Sequence, residues 1–263
     1  MLSILKNEVS KGTSDNEILR LLNGLMNSMI YSKYGPPDIH CDERAKYRVS
    51  ELKEIINEIG NPNIQTILDF GSAEGTITGT LAKELGLNKE QAFSTDIKRP
   101  RDDTDFTFIL ANKESPKISI SNDKIDLITS LMVLHHLENP RNTIEEFYRI
   151  LSPNGYLIIR EHDCLPGMED TITQQLDLYH GFYEAVLGEP DKLENPEFPK
   201  NYFAKYYSND DWTKMIEAVG FKRIDNIPSL EEKYRMGRVK RNYKMGQKIK
   251  NPYYYYYAVY QKI

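Results

Sequence analysis

The sequence predicts an α/β fold: a doubly wound, mostly parallel sheet of seven strands with helices on both faces, extra amino-terminal helices and an insertion after the fifth strand. Two observations favour this class. From residue 64 onward, short apolar runs alternate with helical stretches, which is the rhythm of consecutive β-α-β units. The apolar runs are also unbroken, as expected of strands that helices cover on both faces.

Length and composition limit the possible classes of protein. A chain of 263 residues can build one substantial core with peripheral additions. We find no apolar stretch near the roughly 18 residues of a membrane span, and no signal-peptide core at the amino terminus. We therefore predict no membrane association and a cytoplasmic location. The two cysteines, Cys41 and Cys164, lack the spacing of a zinc site or a disulfide framework.

Two helices are predicted before the first strand. Ser14 and Glu17 have capping-box spacing, and apolar residues follow at intervals of three and four. A second helical pattern begins near Asp42, and Gly60 is well placed to end it. We assign residues 1–60 to amino-terminal helices and residues 61–263 to the sheet-forming domain.

The sheet-forming domain begins with a strand at 64–70, and the following helix starts near Glu74. Further strands are predicted at 92–97, 105–110, 125–131, 156–162, 221–227 and 253–260, with helices at 141–151 and 209–219. The run of five tyrosines at 253–257 indicates a strand with one aromatic face buried. Trp212, on the helix at 209–219, is predicted to pack in the core.

A glycine-bearing turn follows the first strand, at the carboxyl edge of the sheet. Gly71 and Gly75 let a ligand approach the backbone, and the next helix starts there with exposed N–H groups. The second strand ends in Asp96, whose carboxylate can bind the two hydroxyls of a ribose. No P-loop and no full dinucleotide fingerprint is present. The combination predicts a nucleoside cofactor.

The segments that carry these features also resemble a known family. ILDFGSAEGTITGTLA, STDI, IDLITSLMVLHHLENP and EEFYRILSPNGYLIIREHD resemble the motif series of class I S-adenosylmethionine-dependent methyltransferases, especially the broad group with an HHL-x-x-P segment. The later YYSNDDWTKMIEAVGFKRI resembles another element of that group. The resemblance covers residues 64–227 and implies a Rossmann-like fold with S-adenosylmethionine as cofactor.

The resemblance also implies roles for individual residues. Asp69 would hold the methionine amino group, Asp96 the ribose hydroxyls and Ile97 one face of the adenine, while Leu131 and the residues after it would border the sulfonium. The predicted cofactor-binding residues are Asp69, Gly71, Ser72, Ala73, Gly75, Asp96, Ile97, Ala111, Asn112 and Leu131.

Methyl transfer from a sulfonium is an in-line displacement, so the protein mostly aligns the two reactants and excludes water. An oxygen or nitrogen acceptor also needs to lose a proton, which a histidine or carboxylate can take. Candidates at or just past strand ends are His135, Glu161, His162 and Asp163. His135 is the better candidate base by position. A purely structural role for His135 near the cofactor is an equal alternative. We predict no metal, because no ligand spacing singles one out, although Glu161 to Asp163 leave a divalent ion open.

Three features favour RNA as the acceptor. The turn at 71–76 resembles that of RNA ribose 2′-O-methyltransferases, and Arg44 to Arg48 resemble their R-A-x-[YF]-K helix. The third is a basic segment at 228–252, which suits an anionic partner. Its candidate contact residues are Lys233, Arg235, Arg238, Lys240, Arg241 and Lys244. The catalytic lysines of that family are matched by Arg48 and Arg160, however, and arginine stays protonated, so its mechanism is not preserved.

We therefore predict a methyltransferase with an anionic acceptor, such as an RNA end or cap. A small-molecule O-, N- or C-methyltransferase is the first alternative, and a catalytically inactive cofactor-binding scaffold or regulatory subunit is the second. The acidic, proline-rich and aromatic residues at 164–207 are interpreted as a lid over the acceptor or as a surface for a protein partner.

Overall fold

The computed structural model of the protein describes residues 2–14, 17–18, 20–21, 42–100, 104–112, 115–164, 167, 204–230 and 253–263. Most of the predicted lid at 164–207 and of the basic segment at 228–252, including all six named basic residues, lies outside this part. The chain divides into two compact units, Met1–Ile39 with Thr173–Ala204 and His40–Ile172 with Lys205–Ile263. The predicted domain boundary at residue 60 stays a prediction.

In the first unit, helix α1 spans Leu2–Ser10, before the first helical pattern found in the sequence. The predicted capping box follows it. The backbone N–H of Ser14 donates to Glu17 Oε2 at 3.3 Å, and the backbone N–H of Glu17 donates to Ser14 Oγ at 3.4 Å. The capping-box prediction is therefore confirmed.

The second unit contains the sheet. Its elements are α2 (Asp42–Glu58), β1 (Ile67–Phe70), α3 (Thr76–Leu85), β2 (Ala92–Asp96), β3 (Thr107–Leu110), β4 (Ile125–Leu131), a 3₁₀ turn (Leu134–His136), α4 (Pro140–Ile150), β5 (Leu151–Cys164), α5 (Asn209–Glu217), β6 (Phe221–Ile224) and β7 (Tyr253–Lys262). The strand order is β3-β2-β1-β4-β5-β7-β6. Only β7 runs antiparallel to its neighbours, so the prediction of a seven-stranded, mostly parallel sheet is confirmed.

Helices cover both faces of this sheet. On one face, α4 and α5 bury side chains such as Phe147 and Trp212, so the prediction that Trp212 packs in the core is confirmed. On the other face, α2 and α3 bury side chains such as Leu52 and Leu81. Burial on both faces explains the unbroken apolar runs of the strands.

Strands β1 and β5 begin at other residues than predicted. Strand β1 starts three residues later than predicted, because the N–H groups of Gln65 and Thr66 each donate to Asp126 Oδ2 at 2.9 Å. Strand β5 starts at Leu151, which pairs with Ile125 before a register shift. It therefore follows directly on α4.

The tyrosine run forms strand β7, but the prediction of a single buried aromatic face is wrong. Tyr256 and Tyr257 are both buried, although successive residues of a strand point to opposite faces. The cause is the strand order, which places β7 between β5 and β6 with packed layers on both sides. Tyr255 remains exposed.

The carboxyl ends of β1 to β5 meet at one edge of the sheet, since these five strands are parallel. All the predicted site residues lie on or just after these ends. Among the helices in the described ranges, none is both long and apolar enough to cross a membrane.

Candidate functional site

The turn after β1 is held by backbone hydrogen bonds. The N–H groups of Gly71 and Ser72 donate to the carbonyl oxygen of Thr95 in β2, at 2.8 and 3.2 Å. Gly71 has φ 72° and Gly75 has φ 74°, both left-handed. A Cβ on Gly71 would lie 2.6 Å from Val133 Cγ1, and one on Gly75 would overlap the Phe106 ring. Both positions therefore require glycine for conformation and for space.

Asp96 ends β2 beside this turn. Its Oδ2 accepts the backbone N–H of Ala73 at 2.8 Å, and its Oδ1 accepts that of Lys98 at 3.3 Å. Two apolar side chains at the same edge are exposed to solvent, Ile97 at 49% and Leu110 at 52%. Ala111 donates its N–H to the backbone oxygen of Asp96 at 2.8 Å, and Asn112 follows. This edge thus combines a carboxylate with an open apolar surface. Leu110 is not among the site residues predicted from the sequence.

Asp69 lies near the end of β1, just before the turn, and is buried. Its two carboxyl oxygens accept hydrogen bonds from Thr78 Oγ1 at 2.7 Å and Thr129 Oγ1 at 2.8 Å. Burial raises the pKa of Asp69 to about 6, against the lowering effect of the two threonine hydroxyls. Each oxygen has a second lone pair, so the carboxyl group keeps acceptor capacity beyond these two bonds.

At the ends of β4 and β5, His135 and Glu161 form a buried pair. His135 Nδ1 lies 2.6 Å from Glu161 Oε2. The other oxygen, Glu161 Oε1, accepts the backbone N–H groups of Leu134 at 2.9 Å and Val133 at 3.2 Å. An ionised carboxylate only accepts, so opposite ionised Glu161 the Nδ1 atom is the donor, and the uncharged tautomer of that ring has its lone pair on Nε2. Glu161 therefore fixes both the 3₁₀ turn and the orientation of the imidazole.

Aromatic rings pack around this pair. Tyr206 stacks on His135 with 4.7 Å between ring centroids, and His162 contacts the Tyr206 ring edge-on at 4.9 Å. The backbone N–H of Lys205 donates to the carbonyl oxygen of His135 at 2.8 Å. Tyr206 is not among the predicted site residues, although it begins the segment YYSNDDWTKMIEAVGFKRI that resembles a family element.

The four predicted catalytic residues divide into two groups. His135, Glu161 and His162 come together, with possible ligand atoms within 4.8 Å of one another, which is a geometry that could hold a metal ion. The prediction of no metal stays a prediction. Asp163 instead accepts the backbone N–H of Asn209 at 2.7 Å, at the start of α5. The described contact of Asp163 is thus within the fold.

A family model described as a methyltransferase domain matches residues 44–226. The chain belongs to this methyltransferase family. The matched range includes the turn after β1, Asp96 and the His135–Glu161 pair. S-adenosylmethionine is the cofactor, as predicted. The predicted class I fold is confirmed as well.

Relatives of this methyltransferase include phosphoethanolamine N-methyltransferase 1 of Triticum aestivum, 28% identical over 134 residues, which are 46% of this chain and 26% of the wheat protein. A polyketide synthase–nonribosomal peptide synthetase of Phaeosphaeria nodorum is 26% identical over 204 residues, 73% of this chain and 5% of the fungal protein. The chain thus spans about a quarter or less of these relatives.

Two solved structures share the fold at a TM-score of 0.50 and 13% identity. One is a putative sarcosine dimethylglycine methyltransferase of Galdieria sulphuraria, with 84% of each chain covered. The other is phosphoethanolamine N-methyltransferase 2 of Haemonchus contortus, with 92% of this chain and 60% of that chain covered.

The residues at the β1–β3 edge fit the cofactor. Ser72 Oγ is buried and has no hydrogen-bond partner among the described residues, so it is available to a polar ligand group. Asp96 Oδ1 has only the long contact to Lys98, and exposed Ile97 and Leu110 offer an apolar surface to a base. The donors, acceptors and apolar area match a nucleoside with an amino-acid group.

Proposed function

We propose that this methyltransferase transfers the methyl group to an oxygen or nitrogen atom of a small molecule, with His135 as general base. The observation that carries the proposal is the buried 2.6 Å contact between His135 Nδ1 and Glu161 Oε2. A histidine that a carboxylate holds through one nitrogen presents the other to a proton of the acceptor.

We propose the following cofactor contacts. Asp96 binds the ribose hydroxyls, Ile97 and Leu110 border the adenine near Ala111 and Asn112, and Asp69 binds the methionine ammonium group. Ser72 and Ala73 line the turn between Gly71 and Gly75, and Leu131 borders the sulfonium. When bound, S-adenosylmethionine supplies the electrophilic methyl group.

The residues of the chain then position the acceptor and move its proton. As the acceptor atom attacks, its proton passes to His135 Nε2, and the Glu161 carboxylate stabilises the resulting imidazolium. Tyr206, stacked on the ring, holds it in place and keeps water from this side. Asp163 contributes indirectly by fixing the end of β5 to α5.

The names of the relatives support a small acceptor. The wheat and Haemonchus proteins are phosphoethanolamine N-methyltransferases, and the Galdieria protein is a putative sarcosine dimethylglycine methyltransferase. The RNA hypothesis rests in part on the basic segment at 228–252, whose candidate contact residues lie outside the described part, and it stays a prediction. The hypotheses of a protein partner and of an inactive scaffold also stay predictions.

The test is methyl transfer from labelled S-adenosylmethionine to phosphoethanolamine, ethanolamine, sarcosine and capped RNA. We expect turnover with a small acceptor, and we expect His135→Asn to lower kcat by about 10²- to 10⁴-fold with unchanged affinity for S-adenosylhomocysteine. His136→Asn is the matched control, since this neighbouring side chain is exposed.

Three outcomes would contradict the proposal. Equal kcat for His135→Asn and the wild type would remove His135 as the base. Transfer to RNA alone would restore the RNA hypothesis. Tight cofactor binding without transfer to any acceptor, even in a crude extract, would favour the scaffold.

A further inference from the structure

A second set of buried charged groups lies near the carboxyl end of β5, and the mechanism does not use it. We propose that Arg160, together with Arg48, binds a phosphate or carboxylate group of the small acceptor. This inference rests on the proposed function and names the class of substrate.

Arg160 lies in β5, directly beside the proposed reaction centre. It pairs in register with Leu131 of β4, and its carbonyl oxygen accepts the backbone N–H of Met132 at 2.7 Å. Paired residues of neighbouring parallel strands face the same side of the sheet. The side chain of Arg160 therefore projects on the side of Leu131, which we place beside the sulfonium.

The guanidinium of Arg160 is buried, and no carboxylate among the described residues contacts it. Arg160 is 8% exposed. No hydrogen bond or ion pair joins its side chain to any residue that the structure describes. Its described contacts are with two tyrosine rings, 4.4 Å from the centroid of Tyr255 and 5.8 Å from that of Tyr257. Ring faces attract a cation, but they do not replace the hydrogen bonds that its N–H groups lose on burial.

A second arginine reaches the same place from helix α2. Arg48 Nη1 lies 2.7 Å from Glu51 Oε2, and the hydroxyl of Tyr257 donates to the same oxygen at 2.8 Å. Tyr257 thus contacts both the Arg160 side chain and the Arg48–Glu51 pair. The positive charges of Arg48 and Arg160 therefore lie near each other, and Glu51 pairs with Arg48.

The charges of the described residues around Arg160 favour an added anion. Burial, together with the nearby charge of Arg48, lowers the pKa of Arg160, although an arginine stays protonated at neutral pH. An oxyanion between the two side chains would relieve this repulsion, and the planar donor fork of arginine matches phosphate and carboxylate. A terminal oxyanion reaches so buried a group more easily than an internal phosphodiester of a polymer.

The distance to the proposed base fits a small acceptor. His162 follows Arg160 by two residues, about 7 Å along the strand, and both contact the ring of Tyr255. Tyr206 then connects His162 to His135 through ring contacts. A molecule with a few bonds between its anionic group and its methylated atom can therefore contact both ends.

The test measures anion binding without turnover, so that its failure is separate from failure of the methyltransferase proposal. The full-length protein, saturated with S-adenosylhomocysteine, is titrated with methyl phosphate and, separately, with acetate at constant ionic strength. The arginine Nε–H signals are followed by NMR. The variants are Arg160→Met, Arg160→Lys and Arg48→Gln. Arg141→Gln is the matched control, because its guanidinium pairs with Glu145 on an exposed surface.

We expect saturable binding to the wild type, a Kd at least tenfold higher for Arg160→Met, a smaller increase for Arg160→Lys and Arg48→Gln, and a Kd within twofold for Arg141→Gln. Whichever anion binds more tightly identifies the group as phosphate or carboxylate. The basic residues at 233–250 are unchanged in every variant, so their binding of anions cancels in the comparison.

Two results would overturn the inference. One is that the wild type shows saturable binding of neither anion, or binds both anions with the same Kd as the Arg160 and Arg48 variants. The other is displacement of methyl phosphate by capped RNA at equal phosphate concentration, which would indicate a polymer. If Arg160→Met does not fold, as judged by lost affinity for S-adenosylhomocysteine, Arg160→Lys and Arg48→Gln decide.

Discussion

The two halves of the carboxyl edge are built differently. In the cofactor half, at β1 to β3, main-chain groups form the turn, as in the bonds from Gly71 N–H to Thr95 and from Ala73 N–H to Asp96. In the acceptor half, at β4, β5 and β7, buried charged side chains from separate elements meet, as in the pair of His135 and Glu161. The cofactor half, which is formed by main-chain groups, is encoded in short sequence motifs. The acceptor half, which is formed by buried charged side chains, depends on the whole fold.

The halves should also respond differently to substitution. A change at the turn alters backbone geometry and so alters cofactor affinity and stability together. A change among the buried charges leaves an unpaired polar group and alters chemistry first. The following predictions, from the largest effect to the smallest, test that division.

Glu161→Gln should have the largest effect. The amide oxygen can still accept the N–H of Leu134, but the side chain no longer stabilises a positive imidazole ring. We expect kcat to fall by about 10³-fold, with the affinity for S-adenosylhomocysteine within threefold of wild type, as measured by steady-state kinetics and calorimetry. Glu145→Gln, on the exposed surface of α4, is the control. A parallel loss of cofactor affinity would erase the distinction between the halves.

Asp69→Asn should change how stability depends on pH. Burial raises the pKa of Asp69 from 3.8 to about 6, so the folded state binds a proton that the unfolded state has lost between these values. This contribution to stability is fully present below about pH 4 and is lost as pH rises through 6, about 3 kcal/mol in all. Relative to Asp69→Asn, the wild type should lose that free energy of unfolding between pH 4 and 7.

Urea unfolding, followed by fluorescence of the single tryptophan, Trp212, measures this difference. If the unfolding free energies of the two proteins change in parallel across pH 4 to 7, burial does not raise the pKa of Asp69.

Gly71→Ala and Gly86→Ala form a matched pair. Both glycines have a left-handed φ, 72° and 70°, but a Cβ at Gly86 meets nothing within 4 Å while one at Gly71 runs into Val133. Gly86→Ala should cost about 1 kcal/mol of unfolding free energy, and Gly71→Ala about 2 kcal/mol more, because of the overlap. Gly71→Ala should also weaken cofactor binding. Equal costs in urea unfolding would mean that the turn shifts freely away from Val133.

Asp96→Ala should have the smallest effect. The carboxylate is half-exposed, so its loss leaves no unpaired buried charge, but it removes the proposed partner of the ribose hydroxyls. We expect S-adenosylhomocysteine to bind about tenfold more weakly in calorimetry, with little change in unfolding free energy. Asp105→Ala, at an exposed position before β3, is the control. Unchanged affinity would assign ribose binding to another group.

The sequence predicted the cofactor half in most of its parts, because each part depends on neighbours in the chain. The left-handed glycines, the acid at the end of β2 and the strand-turn-helix order follow from local patterns. Leu110 was not predicted as a site residue, because an apolar side chain at a strand end is expected to be buried. In the structure it is exposed. Among the catalytic candidates on β5, alternation predicted only that one or two of Glu161, His162 and Asp163 face the acceptor, and the contacts showed that Asp163 binds the start of α5 instead.

The sequence by itself determined the fold class, the number of strands and the cofactor turn, because the alternation of strands and helices and the conformational freedom of glycine are local properties. Only the tertiary structure decided that β7 lies between β5 and β6, that Tyr256 and Tyr257 are both buried, and that Arg48 and Arg160 converge. The arginines are more than 100 positions apart in the chain. The free energy that brings them together comes from the packing of helix α2 on the sheet and from the pairing of β7 within it. No local sequence pattern predicts these contacts.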